Sequence, residues 1–338
     1  MSGTIRHAAV LGAGSWGSGL AVHLSSIGRD VALWGPEADV LAAISRDRQN
    51  AAYLPGVPIS ARVRPTGAMA EAVAGASHVI LAVPSHGLRR VIREAVPFID
   101  RDAVIVSAVK GLEADSLQRM SEIIAAESAG RFPIVVLSGP SFAAEVARGL
   151  PTAVVAASTD PAAAAAVQRE FRSKSFRLYG SDDVVGVELG GALKNIIAIA
   201  AGAVESLELG HNALAALITR GLAEMSRLAC AMGARRETLA GLSGLGDLVL
   251  TCTGRLSRNH HVGIELGRGR SLDEILGSLR MVAEGVLTTK AALALGERHG
   301  VELPIAAEMG EVLAGRRTPR AAIECLMLRP QRGELDGD

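Results

Sequence analysis

The chain has 338 residues, 49% hydrophobic and 21% charged, the balance of an ordinary globular protein. It is long enough for two cores, since single cores rarely grow beyond about 250–300 residues. Thirty-five basic residues balance 35 acidic ones. That argues against a dedicated nucleic-acid binder, which carries a basic excess, and leaves room for a local cluster that grips a small anion.

Aromatic residues make up only 3% of the chain, so its cores must be built from Ala, Val, Leu and Ile. The cysteines, Cys230, Cys252 and Cys325, are odd in number and widely spaced. They suggest neither a disulfide framework nor a zinc site and fit a reducing compartment. Cys252 with His260 and His261 matches no metal-ligand spacing, so no metal is expected. The N-terminus, MSGTIRHAAVLGAGSWG, lacks the apolar core of a signal peptide. The apolar stretch VELGGALKNIIAIAAGAV (187–204) reads as too short for a membrane span and carries Lys194. A cytoplasmic protein without a membrane partner is the expectation.

In chain order, the first half alternates β-like runs with helical patterns. Strands are predicted at Ala8–Leu11, Val31–Trp34, His78–Val83, Ala103–Val109 and Ile134–Leu137. Each is a continuous apolar run, as in parallel strands buried on both faces. Helices are predicted at Leu20–Ile27, Gly87–Val96 and Ser116–Ala126 between them. Further strands at Ala153–Ala157 and Phe176–Leu178 flank an Ala-rich helix at Pro161–Phe171. The alternation implies an α/β fold, a Rossmann-type doubly wound parallel sheet. After about Ser181 the periodicity turns helical to about Leu328. Ser181, Asp182 and Asp183 begin a helix that carries Lys194. Others run from about Asn212 to Met232, from near Asn259, from near Ser271, and over Glu284–His299 with Gly300 as its stop. Residues 1–181 therefore read as a dinucleotide-binding domain and 182–338 as an all-helical domain for substrate and subunit pairing.

The sharpest motif is Gly12-Ala-Gly14-Ser-Trp-Gly17, directly after the first strand and opening a helix. Gly12 allows the tight turn, Gly14 lets backbone approach a pyrophosphate, and Gly17 allows close helix–strand packing. A nicotinamide dinucleotide, NAD or NADP, is the cofactor implied. Past the second strand, where a carboxylate usually holds the NAD ribose, the sequence reads LWGPEADV. Glu37 is the only candidate there, equally readable as a solvated loop acid. No arginine follows at once to grip a 2′-phosphate, and Arg46 and Arg48 serve only if the next segment folds back.

Three further strands end in residues suited to a crevice: Pro84-Ser85-His86, Lys110-Gly111 and Ser138-Gly139-Pro140-Ser141. Lys110 would present a cation there, Gly139 close approach and Ser141 a hydroxyl, although the last two also make a good turn. Lys194 is the residue that most needs explaining. It sits mid-helix among Gly190, Gly191, Ile197, Ala198 and Ala201, far from a helix end where a lysine can reach water. A desolvated lysine loses its proton more easily and suits general acid–base work, while a paired structural lysine is the bland reading. Asp247, in the glycine-rich LSGLGD loop, is a candidate partner. Ser257, Arg258 and Asn259 open another helix and could hold a phosphate, or could be a cap beside a solvated arginine. Together these parts imply hydride transfer on a phosphorylated alcohol or ketone.

Almost the whole chain resembles the bacterial-type NAD(P)-dependent glycerol-3-phosphate dehydrogenases. The resemblance runs from GAGSWG through PSH (84–86), KGLE (110–113), SGPSFA (138–143), GGALKN (190–195), ITRGLAEM (218–225), GLGDLVLTC (244–252) and SRN (257–259) to VAEG (282–285). It implies interconversion of dihydroxyacetone phosphate and sn-glycerol 3-phosphate by a homodimer that feeds phospholipid synthesis. Lys194 then moves the proton. Lys110, Gly139, Ser141, Asp247, Ser257, Arg258 and Asn259 contact the substrate, with Lys110 and Arg258 also near the cofactor. Ser15, Trp16, Tyr53, Ala143, Val282 and Glu284 line the cofactor site with the loop glycines. Two alternatives stay open: a related β-hydroxyacid or sugar-phosphate dehydrogenase, and a nicotinamide-binding sensor without catalysis.

The family often has a basic residue just after the second strand, where Pro36 and Glu37 stand here. Steady-state assays should therefore find both NADH and NADPH active. An advantage for NADPH above roughly a hundredfold in kcat/KM would contradict this reading of the strand end.

Overall fold

The structure, a computed structural model, describes residues 7–278, 283–331 and 333–334. The chain forms two compact units, Met1–Val109 with Arg119–Val184, and Lys110–Gln118 with Val185–Asp338. A linear division at 181/182 does not contain the return of 110–118 to the second unit.

Among its described residues the first unit carries ten strands: β1 (Ala8–Leu11), β2 (Val31–Trp34), β3 (Gln49–Asn50), β4 (Leu54–Pro58), β5 (Val63–Thr66), β6 (His78–Leu81), β7 (Val104–Ser107), β8 (Ile134–Ser138), β9 (Thr152–Ala157) and β10 (Phe176–Ser181). Eight form one sheet in the order β10-β9-β8-β7-β6-β1-β2-β5, and β3 and β4 make a separate hairpin. Every neighbouring pair in the large sheet is parallel except β8 with β9. β1, β2 and β6 are buried along their whole length, which is why they read as unbroken apolar runs. The sequence shows no strand over β4 or β5, because Pro55, Pro58 and Pro65 break the pattern. Pro65 is tolerated since β5 is an edge strand, where a missing N–H costs no ladder bond.

The chain leaves β1 for β2 on one side and returns to β6 on the other, so the two turns part at the carboxyl end of β1. Open sheets of this kind bind ligands at such a point. Gly12 fills it, with φ +120°, and a Cβ there would lie 2.5 Å from the Ala82 carbonyl oxygen. Only glycine fits.

The second unit is helical. Its central helix, Val184–Ser206, is buried from Gly186 to Val204. At 23 residues it is longer than the sequence suggested and apolar enough to cross a membrane by length and composition. Yet 89% of its apolar window is covered by the protein itself, so the low polarity belongs to a core helix. Its small residues seat other backbones. A Cβ on Gly202 would lie 2.0 Å from His260 O, and one on Gly263 1.9 Å from Ile199 O. The helices Val184–Ser206 and Arg258–Gly267 thus cross backbone to backbone. Likewise Gly190 meets Ser243 O and Gly285 meets Asn195 O, at 2.6 and 2.7 Å from the added Cβ. These close approaches fix what stands beside Lys194 and Asn195.

A methyl group at the crossing has nowhere to go, because both obstacles are backbone. Gly263→Ala should cost about 1–3 kcal/mol or more, read as a lower denaturant midpoint, and should loosen the alignment of Asn259. An unchanged midpoint would mean that the helices can part without penalty.

Candidate active site

In the first unit, the helix Ser15–Ser26 starts directly from the glycine loop. Its N-cap is Gly14, no side chain caps it, and no acidic residue lies in its first turn. The positive end of the helix dipole meets no acidic side chain in its first turn, which favours an outside anion. A Cβ on Gly14 would meet nothing within 4 Å, whereas one on Gly17 would lie 1.8 Å from Gly12 O. Gly14 therefore leaves open space and Gly17 closes the helix onto the turn. Trp16 Nε1 is buried and finds no hydrogen-bond partner among the described residues. An uncapped helix, an open face and an orphaned donor fit a dinucleotide pyrophosphate.

The β3–β4 hairpin is clamped to this loop. Asn50, 1% exposed, donates to Ala13 O and Ser18 Oγ, both at 2.8 Å. Ser15 Oγ donates to Tyr53 O at 2.6 Å, and Tyr53 Oη donates to Glu37 Oε1 at 2.6 Å. Ala143 opens the short helix Ala143–Ala147 and backs the dinucleotide helix, lying 3.0 Å from a Cβ built on Gly19. Gly139, φ +133°, and Ser141 form a turn after β8, with Ser141 Oγ donating to Gly139 O at 2.8 Å.

In the second unit, Asp247 is the centre. It opens the helix Asp247–Thr253, after a π-helical turn over Leu242–Gly246, and is 1% exposed. Its Oδ2 accepts from Lys110 Nζ at 2.8 Å, and its Oδ1 accepts from Lys194 Nζ. Thr251 lies one turn on along the same helix. Its hydroxyl donates to Asp247 O at 2.5 Å and accepts from Lys194 Nζ at 2.9 Å. A lysine ammonium has three N–H donors. Asp247 and Thr251 take two, and the third has no partner among the described residues.

Burial drives the Lys194 pKa down to about 7. The Asp247 charge opposes this, and the neighbouring Lys110 charge adds to it. Burial also pushes the adjacent Cys252 thiol up to about 12, so that group stays protonated and inert near neutrality.

A ladder of amides continues from the lysines. Asn195 Nδ2 donates to Lys110 O at 3.3 Å, Asn259 Nδ2 to Asn195 Oδ1 at 2.9 Å, and Gly285 N to Asn259 Oδ1 at 3.0 Å. Ser257 caps the helix Arg258–Gly267, its Oγ accepting from His260 N at 3.2 Å, while Arg258 is exposed. Glu284 begins the helix Glu284–His299, and Val282 lies outside the described residues. The second unit therefore gathers Lys110, Lys194, Asp247 and Asn259, with Ser257 and Arg258 next to Asn259 in the chain. Sequence reasoning missed Thr251, although its place four residues after Asp247 on one helix was a usable signal. It saw Asn195 beside Lys194 without giving it a partner, and Asn50 carried no local signal at all.

A doubly wound sheet with an open glycine loop, and a helical unit with a buried lysine–carboxylate centre, define a Rossmann-type dehydrogenase. Comparison with known proteins narrows the class. Residues 7–164 match the N-terminal domain of the NAD-dependent glycerol-3-phosphate dehydrogenases, and residues 183–324 match the C-terminal domain. The chain belongs to that family. It is 52% identical to a glycerol-3-phosphate dehydrogenase (NAD(P)+) of Koribacter versatilis over 97% of this chain and 98% of that one. The Geobacter sulfurreducens enzyme of the same name is 51% identical over 96% and 98%. Among solved structures, glycerol-3-phosphate dehydrogenase from Coxiella burnetii superposes with a TM-score of 0.92 at 39% identity, covering 96% of this chain and 99% of that one.

The depressed Lys194 pKa makes stability pH-dependent. An unfolded lysine titrates near 10.4, so between about 7 and 10 the unfolded chain holds the extra proton. Stability then rises as pH climbs through that window and is lost as pH falls through about 7. Lys194→Met never carries the buried charge. Denaturant titrations should find the variant's gain over the parent chain shrinking from pH 7 to pH 10, and a constant gap would contradict the assignment.

Proposed function

We infer that the chain interconverts dihydroxyacetone phosphate and sn-glycerol 3-phosphate with NAD(H) or NADP(H), and that Lys194 moves the proton. The observation that carries the second part is the third N–H of Lys194, which has no partner among the described residues after Asp247 and Thr251 take two. When bound, the nicotinamide supplies or takes up the hydride. Charge then develops on the substrate carbonyl oxygen, where the Lys194 ammonium stabilises it and gives up a proton. In the reverse direction neutral Lys194 takes the proton of the alcohol. Asp247 and Thr251 hold Nζ in place for both directions.

Lys110 and Lys194 bring two amines to one buried carboxylate. That supports recognition of a phosphorylated substrate, with Arg258, Asn259 and Ser257 as further contacts at a helix start, and family resemblance adds Gly139 and Ser141. Gly12, Gly14, Ser15, Trp16, Gly17, Tyr53 and Ala143 would hold the cofactor. Lys110, Arg258, Glu284 and Val282 complete that set by family resemblance. The same resemblance supports a cytoplasmic homodimer that supplies phospholipid synthesis.

Spectrophotometric assays should show oxidation of NADH or NADPH with dihydroxyacetone phosphate and little with dihydroxyacetone. Equal turnover of the two ketones would remove the phosphate from the reading. Lys194→Met should lower kcat by roughly 10²-fold or more with cofactor affinity nearly unchanged, and near-normal turnover would make Lys194 structural. In the alcohol-oxidising direction kcat/KM should rise with pH through about 7, where Lys194 loses its proton. A flat profile across neutrality would assign the base elsewhere.

A further inference from the structure

The segment after β2 carries a feature that the reaction itself does not require. Gly35 passes directly over the glycine loop, where an added Cβ would lie 2.9 Å from Ala13 Cβ. Trp34 is turned away from the loop, its indole N–H donating to Gly67 O at 3.1 Å. The first acidic residue past this strand end is Glu37, which follows Gly17 by twenty residues. In dinucleotide folds an acid at this spacing meets the adenosine ribose.

Glu37 is also held. Tyr53 Oη donates to its carboxylate at 2.6 Å, and Tyr53 is tied by its own carbonyl to Ser15 at the start of the dinucleotide helix. The exposed acid is thereby fastened to the phosphate-binding turn through two hydrogen bonds. Among the described residues, the arginines that follow it in the chain are engaged elsewhere. Arg46 is engaged by both carboxylate oxygens of Asp47, at 2.8 and 2.7 Å. Arg48, in the left-handed conformation at φ 51°, spends its guanidinium on the carbonyls of Ile59, Ser60 and Val63. Further along, Arg62 pairs with Asp30 and Arg64 with Glu71.

We propose that Glu37, positioned by Tyr53, is the specificity determinant of the dinucleotide site and makes it select NADH over NADPH. The proposal rests on the dinucleotide reading of the glycine loop. A ribose 2′-hydroxyl can donate to the fixed carboxylate. A 2′-phosphate has no proton to offer at neutral pH, brings like charge against Glu37, and finds the nearby arginines already bonded. Repulsion between unit charges a few ångströms apart at a protein surface corresponds to about ten- to a hundredfold in affinity.

The test is equilibrium binding of NADH and of NADPH, followed by nicotinamide fluorescence, with thermal melting to confirm that each variant is folded. The parent chain should bind NADH at least about tenfold more tightly than NADPH. Glu37→Arg should reverse the order, and Glu37→Gln, which keeps the shape and removes the charge, should narrow the gap mainly by improving NADPH. Tyr53→Phe should narrow it too, by releasing the carboxylate. Equal affinities in the parent chain, tighter NADPH binding, or an unchanged ratio in folded Glu37→Arg would overturn the proposal while leaving the dinucleotide reading in place. Failure of the folded parent chain to bind either cofactor would overturn both.

Discussion

One buried carboxylate serves two lysines. Asp247 accepts from Lys110 on one oxygen and from Lys194 on the other, and only Lys110 has appreciable contact with solvent. Burial and the neighbouring Lys110 charge both make a protonated Lys194 costly, although Asp247 offsets part of that cost. Two routes relieve the cost: Lys194 can release its proton, or an anion can settle beside the pair. The first makes an acid–base group near neutral pH and the second makes affinity for a phosphorylated or oxyanionic substrate. Both capacities follow from placing two amines on one buried carboxylate.

The packing of the helical unit holds this centre in place. Asp247 opens its helix, where the dipole favours a negative charge, and the π-helical turn before it seats against Gly190, one turn ahead of Lys194 on the central helix. The backbone crossing at Gly202 and Gly263 and the close approach at Gly285 bring Asn259 to Asn195, and Asn195 to the carbonyl of Lys110. The glycines and alanines around Lys194 are therefore there for backbones to approach. Larger side chains would separate the elements whose side chains meet at Asp247.

Much of this was legible because local rules govern it. β1 and β2 appear at their predicted bounds, since buried parallel strands are continuous apolar runs, and the helices Pro161–Phe171 and Glu284–His299 do too, since Pro161 starts one and Gly300 stops the other. The edge strand β5 was hidden by Pro65, whose tolerance depends on where the strand lies in the sheet. The return of 110–118 to the second unit is a long-range fact with no local signature. Lys194 posed a choice between an acid–base group and a paired structural lysine, and the pairing with Asp247 is present. What the sequence could not show is that Lys110 claims the same carboxylate. Sharing depends on residues 110, 194 and 247 meeting in space, and it changes the meaning of the pair.

The proposed chemistry depends on the protonation state of Lys194. The most direct measurement is the ¹³Cε resonance of lysine-labelled protein across pH 5 to 11, with Lys194 assigned by its loss in Lys194→Met. Lys194 should titrate near 7, far below the value of about 10.4 for a lysine in a model peptide. A Lys194 resonance that stays in the charged form up to pH 10 would contradict it.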